Sequence, residues 1–375
     1  MNICVIGWYG TETLGDRAIL DGIIKIYSNI SQKLSFKIGS LYPIVTQRTL
    51  FEDSNLFHSH ASDTELTFFN VHDRSELHSN ILQSDHVIMG GGPIMDLPEL
   101  FIILHSFKYA KKHHKTTGLL GCGYGPLSEI LYLDCVKKII HFSDIIIMRS
   151  EKCRQNMRAL CAEKDSHKEI YSSLDPAIIS VIDYKQRRSP VPHSDYWVMN
   201  IRNVDYVCGT KNTYYIKTKN YVASVAAQVS DLYLMPMHSF SVGGDDRYIQ
   251  NKIAQELQAE NIHVIQKPLS LSEAYDLIMA ASGCVGMRYH SLIFHAFLNG
   301  NNYVVDYTNP ETGKIKAFID YIDSDNFYGN RYCNIFSESS SLTLSNSTDI
   351  FQYDFSIKES SLSFYTDIIV NNSRP

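Results

Sequence analysis

An arginine and a histidine stand two residues apart in Val285-Gly286-Met287-Arg288-Tyr289-His290-Ser291. A fixed cation thus lies beside an imidazole, the side chain that titrates near neutral pH. The apolar residues before them read as a strand, in which positions i and i+2 share a face, so Arg288 and His290 are expected to point into one pocket. Residues 291–298, opening with Ser291, read as a helix whose first N–H groups face that pocket. The pattern predicts an anion site, with a packed core histidine as the competing reading of His290. A second arginine ends another apolar run in Asn200-Ile201-Arg202-Asn203. Arg202 and Arg288 together suit a small dianion, because guanidinium forks match phosphate and carboxylate oxygens.

Glycine-rich turns follow several other apolar runs. Gly7-Trp8-Tyr9-Gly10-Thr11-Glu12-Thr13-Leu14-Gly15-Asp16 separates a strand from a helical run, and Asp16 and Arg17 stand where a Walker loop needs Lys and Ser or Thr. Asp16 reads either as the helix N-cap or as a base or hydroxyl ligand for an acceptor. Gly90-Gly91-Gly92-Pro93 permits close approach of backbone to ligand. Asp96 reads as an N-cap with Glu99 as its capping-box partner, or else as a ligand for a sugar hydroxyl. Gly121-Cys122-Gly123-Tyr124-Gly125-Pro126 lacks the spacing of a dinucleotide fingerprint. Arg149 closes an apolar run and is an anion ligand or half of an ion pair. Gly243-Gly244-Asp245-Asp246-Arg247 reads as a solvated turn in preference to a metal site. His58-Ser59-His60 has a ligand-like spacing but no committed carboxylate, so no metal is expected. The basic run 108–115 complements a helix dipole, with lipid phosphate as its alternative partner.

The elements that must position these residues alternate throughout: short apolar strands followed by longer helical patterns, the mark of a parallel α/β fold. Strands are expected near 3–6, 36–38, 86–89, 118–121, 144–148 and 169–171, then near 196–201, 232–235, 263–265, 283–286 and 303–305. Ser270 and Glu273 form a capping box ahead of a helix. The prolines Pro190 and Pro192 interrupt the alternation, which places two Rossmann-like domains at 1–188 and 189–375, facing a cleft with ligands at the strand carboxyl ends. The formal charge of −6 argues against a general nucleic-acid surface. The cysteines Cys4, Cys122, Cys135, Cys153, Cys161, Cys208, Cys284 and Cys333 form no CxxC pair, and several sit in apolar runs, as buried thiols of a reducing cytoplasm do. The first residues enter a strand directly, without a signal-peptide pattern.

Taken in order, Gly7-Trp8-Tyr9-Gly10, Gly15-Asp16, Gly90-Gly91-Gly92, Gly121 to Leu127, Arg149-Ser150, Asp175-Pro176-Ala177 and Met287-Arg288-Tyr289-His290-Ser291-Leu292-Ile293-Phe294 resemble the polysaccharide pyruvyl transferase family. The chain departs from the family at Thr13, where an asparagine is usual, and at Arg17, where an acidic residue is usual. The lysine expected after the strand ending near Tyr307 is displaced, leaving Lys314 or Lys316. The resemblance implies a GT-B-like fold and transfer of pyruvate from phosphoenolpyruvate, without a further cofactor, to two hydroxyls of a sugar in a capsule or exopolysaccharide precursor. It implies that Arg288, His290 and Arg202 bind the donor, that His290 protonates its methylene carbon, and that Asp16 and Asp96 serve the acceptor. It also implies a lipid-linked glycan acceptor, a cytoplasmic enzyme with peripheral contact at the inner membrane face, and a C-terminal helix beyond Phe364 that returns to the first domain. Oligomeric state is left open. A nucleotide-sugar glycosyltransferase and a non-catalytic subunit of a glycan assembly complex are the rival functions.

Overall fold

A computed structural model describes residues 1–11, 13–204, 212–240, 242–311, 313–345, 349–354 and 356–373. Cys208 lies outside the described residues; the other seven cysteines are free thiols. The chain divides into two compact units, the first made of Met1–Glu12, Asp16–Ser180 and Phe355–Pro375, the second of Thr13–Gly15 and Val181–Asp354. The division falls inside the helix Pro176–Arg187, not at the proline segment expected to carry it at 188/189. That helix runs unbroken to Arg187, and the prolines only lead into the next strand. The C-terminal helix Ser356–Asn372 belongs to the first unit.

In the first unit, β1 (Asn2–Ile6), β2 (Ser35–Ser40), β3 (Glu65–Asn70), β4 (His86–Gly90), β6 (Thr116–Tyr124), β7 (Ile145–Met148) and β8 (Tyr171–Ser172) form a parallel sheet. Its order is β3-β2-β1-β4-β6-β7-β8, with the short β5 (Pro93–Ile94) paired to β6. β4 and β7 are buried at every residue. A sheet covered on both faces favours continuous apolar runs, which is why these strands stand out in the sequence. β3, at the sheet edge, buries only Phe69 and carries no such run.

The second unit holds β9 (Ser194–Asn200), β10 (Leu232–Leu234), β11 (Ile262–Val264), β12 (Ala281–Gly286), β13 (Asn302–Asp306) and β14 (Tyr332–Asn334). All neighbours are parallel and the order is β11-β10-β9-β12-β13-β14, a doubly wound Rossmann sheet. The chain winds outward from β9 through β10 to β11, then restarts on the other side at β12. Register pairs Gly286 with Asn200, so the loops after β9 and β12 leave the sheet side by side. Such a switch point opens a crevice at the strand carboxyl ends, and Arg202 and Arg288 stand in its two loops. The first sheet has the same switch between β1 and β4, where Ile6 pairs with Met89.

The helix Leu271–Ala280 starts at the expected capping box: Ser270 Oγ accepts from the Glu273 amide at 3.2 Å and Glu273 accepts from the Ser270 amide at 2.8 Å. Ser270→Ala is expected to cost about 1 kcal/mol, read as a lower urea midpoint at unchanged slope.

Candidate anion-binding site

Asp246 organises the strand ends of the second unit. It is the first residue of the helix Asp246–Leu257, whose N-cap is Asp245, and its side chain is 1% exposed. Its carboxylate accepts from the Met237 and His238 amides, each at 3.1 Å, and from Asn200 Nδ2 at 3.4 Å. Arg288 then closes on it with Nε at 2.9 Å and Nη2 at 2.6 Å. A fork of this kind fixes orientation as well as charge. Asn200 completes the arrangement: its Oδ1 accepts from the Arg288 amide at 3.2 Å and its Nδ2 donates to the Met235 carbonyl at 3.1 Å. The loops after β9, β10 and β12 are thereby tied to one carboxylate. The expected solvated turn at Asp245-Asp246 is therefore corrected. Asp245 does cap a helix by accepting from the Arg247 amide, but Asp246 is a buried counter-ion.

Arg288 and His290 do not sit on a strand. β12 ends at Gly286, Arg288 is the extended N-cap of the helix Tyr289–Phe294, and His290 is its second residue. The expected i, i+2 geometry fails because the chain turns into the helix two residues earlier than the apolar pattern suggests. Ser291 is fully buried and serves Arg288: its Oγ accepts from the Arg288 amide at 3.0 Å and donates to the Arg288 carbonyl at 2.7 Å.

A second cation cluster gathers at Tyr307, just past β13. Arg202, 8% exposed, donates from Nη1 to the Tyr307 hydroxyl at 3.0 Å, and its guanidinium carbon lies 4.9 Å from the ring centre. Burial resists ionisation of this phenol, but the charges of Lys314, Arg202 and Arg288 outweigh it and bring its pKa down to about 7. Lys314 opens the helix Lys314–Ile322. The neighbouring Asp306 is fully buried, accepts from the Thr308 amide and hydroxyl at 2.6 Å and from the Tyr332 hydroxyl at 2.9 Å, and lies in the field of Lys314. One edge of the Arg288 charge is neutralised by Asp246, whereas Arg202 and Lys314 act on a group that is neutral when protonated. Three cations thus act on one buried phenol.

Three imidazoles lie in the same unit. In the second unit the segment Thr13–Gly15 joins the loop after β10, where Leu14 donates from its amide to the Met237 carbonyl at 3.0 Å and Thr13 bridges to His238. A Cβ at Gly15 would lie 2.0 Å from His290 Nδ1, so the imidazole occupies the space any side chain at position 15 would need. His238 is 5% exposed, and its Nε2 has no hydrogen-bond partner among the described residues. Burial, then the Arg288 charge, lowers its pKa to about 4. His295 begins a π-helical turn, His295–Asn299, and is wholly buried with neither ring nitrogen hydrogen-bonded among the described residues. Burial drives its pKa down to about 3.

The expected residues of the first unit hold structural positions. Asp16 is not an N-cap, since the helix Leu14–Ser28 begins before it and places it in the first turn. Asp96 does not cap the helix Leu100–Lys112, whose N-cap is Glu99; it accepts from the Ser128 amide and hydroxyl and the Glu129 amide at 2.9, 3.0 and 3.3 Å. Arg149 pairs with Asp175 at 3.3 Å, both buried. Gly91 and Gly92 take positive φ, and a Cβ would lie 2.2 Å from Ile19 or 1.9 Å from Trp8. Packing alone requires glycine there. Gly10 is equally crowded, by Ser40 and Tyr42 at 2.7 Å. Arg17, where the family is acidic, is buried against Asp53 at 2.6 Å and Glu52 at 3.2 Å. His60 pairs with Asp21 at 2.8 Å, and no group of three potential metal ligands occurs among the described residues.

A family model for polysaccharide pyruvyl transferase matches residues 14–309. The chain belongs to that family. The match takes in Arg202, Asp246, Arg288, His290 and Tyr307 and stops short of Lys314. Members of this family are transferases. No curated protein matches the sequence significantly. Among solved structures, the chain is similar to a UDP-N-acetylglucosamine 2-epimerase described as putative from Listeria monocytogenes, with 11% identity, TM-score 0.55, and coverage of 99% of this chain and 88% of that one. It is similar to the UDP-GlcNAc 2-epimerase of Methanocaldococcus jannaschii, with 11% identity, TM-score 0.54, and 98% and 100% coverage. It also resembles S. aureus MnaA solved with UDP, with 12% identity, TM-score 0.51, and 98% coverage of each chain. These likenesses concern the fold, two Rossmann-like domains of the GT-B kind.

Asp246→Ala is expected to destabilise this pyruvyl transferase family member more than Arg288→Ala does. The first change leaves two amides, Asn200 and a half-buried guanidinium without their acceptor, a loss of about 3 kcal/mol; the second leaves Asp246 still bonded to three donors. Chemical denaturation of both variants checks the order. His295 has a folded pKa below its unfolded one, so its contribution is full above about pH 6.5 and is lost as pH falls toward 3. His295→Leu is expected to lessen acid destabilisation in that window by about one proton per molecule, read from stability against pH.

Proposed function

We propose that the chain transfers the pyruvyl group of phosphoenolpyruvate to two hydroxyls of one sugar in a cell-surface polysaccharide precursor, forming a ketal and releasing phosphate. The observation that carries this reading is the convergence of positive charge on Tyr307 from Arg202, Arg288 and Lys314. Phosphoenolpyruvate supplies a phosphate and a carboxylate to balance it. Because Asp246 takes the Nε and Nη2 edge of Arg288, donor binding draws on the remaining face of that guanidinium together with Arg202 and Lys314. His290 then protonates the methylene carbon, a step suited to an imidazole. The resulting centre is open to attack by a sugar hydroxyl, and a second hydroxyl displaces phosphate.

On the acceptor side, Asp16 is proposed as the base for the attacking hydroxyl and Asp96 as a sugar ligand through Oδ1, which has no hydrogen-bond partner among the described residues. Arg149, Gly10, Gly91 and Gly92 support the fold around them. The acceptor is proposed to be a lipid-linked glycan of capsule or exopolysaccharide synthesis, reached from the cytoplasmic membrane face. Among the described residues no helix is long and apolar enough to cross a membrane, so such contact would be peripheral.

The test is incubation with phosphoenolpyruvate and candidate glycosyl acceptors, following phosphate release and product mass. A pyruvyl adduct is expected; reaction with nucleotide-sugar donors and none with phosphoenolpyruvate would refute the reading. His290→Ala is expected to lower turnover at least about a hundredfold while retaining donor affinity, whereas Arg288→Ala weakens donor affinity itself. Calorimetric titration separates the two.

A further inference from the structure

Tyr307 has no part in the scheme above, yet it is the group on which the site's cations converge. It is 2% exposed, follows directly on β13, and accepts a hydrogen bond from Arg202 at 3.0 Å. Charged groups reach it from four elements among the described residues, with Arg202 after β9, Arg288 after β12, Lys314 on the helix beyond, and Asp306 next to it on β13. Asp306 accepts from Thr308 and Tyr332 and also lies in the field of Lys314, so the phenol, held by the Arg202 hydrogen bond, sits among three cations with one carboxylate beside them. A buried hydroxyl among three cations holds a labile proton, and an anion arriving there reverses the field that makes it labile.

We propose that Tyr307 takes up a proton when the donor binds and gives that proton to the departing phosphate. This inference rests on phosphoenolpyruvate being the donor. In the step concerned, the bond between the ketal carbon and the phosphate oxygen breaks, and its electron pair goes to that oxygen. The Tyr307 O–H supplies the proton and leaves a phenolate stabilised by Arg202 and Lys314. The second sugar hydroxyl forms the new carbon–oxygen bond, and its proton restores the phenol. Over the whole cycle one hydroxyl proton ends on the former methylene carbon and the other on phosphate, so the account balances without a further reagent. The depressed pKa of the free protein fits this role, because a phenol already ionised near neutral pH is a group that donor binding can protonate.

The experiment titrates phosphoenolpyruvate into wild type and Tyr307→Phe at about pH 8, in buffers of different ionisation enthalpy, to count protons taken up. Wild type should bind about one proton more than the variant, and its tyrosinate ultraviolet difference band should fall as donor is added. With a working acceptor, kcat should drop about a hundredfold in Tyr307→Phe while KM for the donor changes little. Equal proton counts, a tyrosinate band unmoved by donor in the wild type, or kcat within about threefold of wild type overturns the assignment. The band is read on wild type alone, so a variant that fails to fold does not spare the proposal. Absence of phosphoenolpyruvate binding to wild type overturns the functional reading and this inference with it, whereas binding with an unchanged proton count overturns this inference alone.

Discussion

The second unit depends on one buried carboxylate. A charge at the Asp246 position is costly to remove from water, and it is tolerated because four donors from three strand-end loops converge on it. The convergence works in both directions: the loops satisfy the carboxylate, and the carboxylate sets the separation of the loops. Arg288 is the one member of the set that keeps appreciable exposure, 16% of its side chain. Its orientation is therefore determined from behind, before any ligand arrives, which is what preorganised recognition of an anion requires.

The charge balance follows from that arrangement. Arg288 alone, half-neutralised by Asp246, would be a modest attractor for a multiply charged donor. Lys314 acts on both the Asp306 carboxylate and the Tyr307 phenol, and together with Arg202 and Arg288 it lowers the pKa of that phenol. The depressed pKa of His238 reflects that charge in part, since burial and Arg288 together hold it neutral. A neutral imidazole at His238 adds no competing charge.

Much of the fold was legible because parallel strands buried on both faces write themselves as apolar runs, as at Ile145–Met148 and His86–Gly90. β3 and β14 were missed for the opposite reason, since edge strands bury little and carry mixed residues. The site was legible in its cations and not in its anions. Arg202, Arg288 and His290 follow apolar runs and can be placed at strand ends from spacing alone, although the turn from β12 into its helix came earlier than periodicity indicates. Asp246 sits after two glycines in a stretch that has every local mark of a solvated turn; only the tertiary positions of β9 and β12 make it a core residue. Tyr307 offered one weak signal, an aromatic at the end of a strand next to the switch point. Likewise Asp96 has capping-box spacing with Glu99, yet the loop around Ser128 competes more successfully for its carboxylate.

The π-helical turn His295–Asn299 has a consequence for tracing the lineage of this chain. Such a turn holds about one residue more than an α-helical turn, and it lies between Arg288 and the strand that delivers Tyr307. Relatives that lack it are expected to show a one-residue gap there. Alignments forced through that point without a gap will slide Asp306, Tyr307 and Lys314 out of register, so correspondence on the two sides of the turn is best established separately.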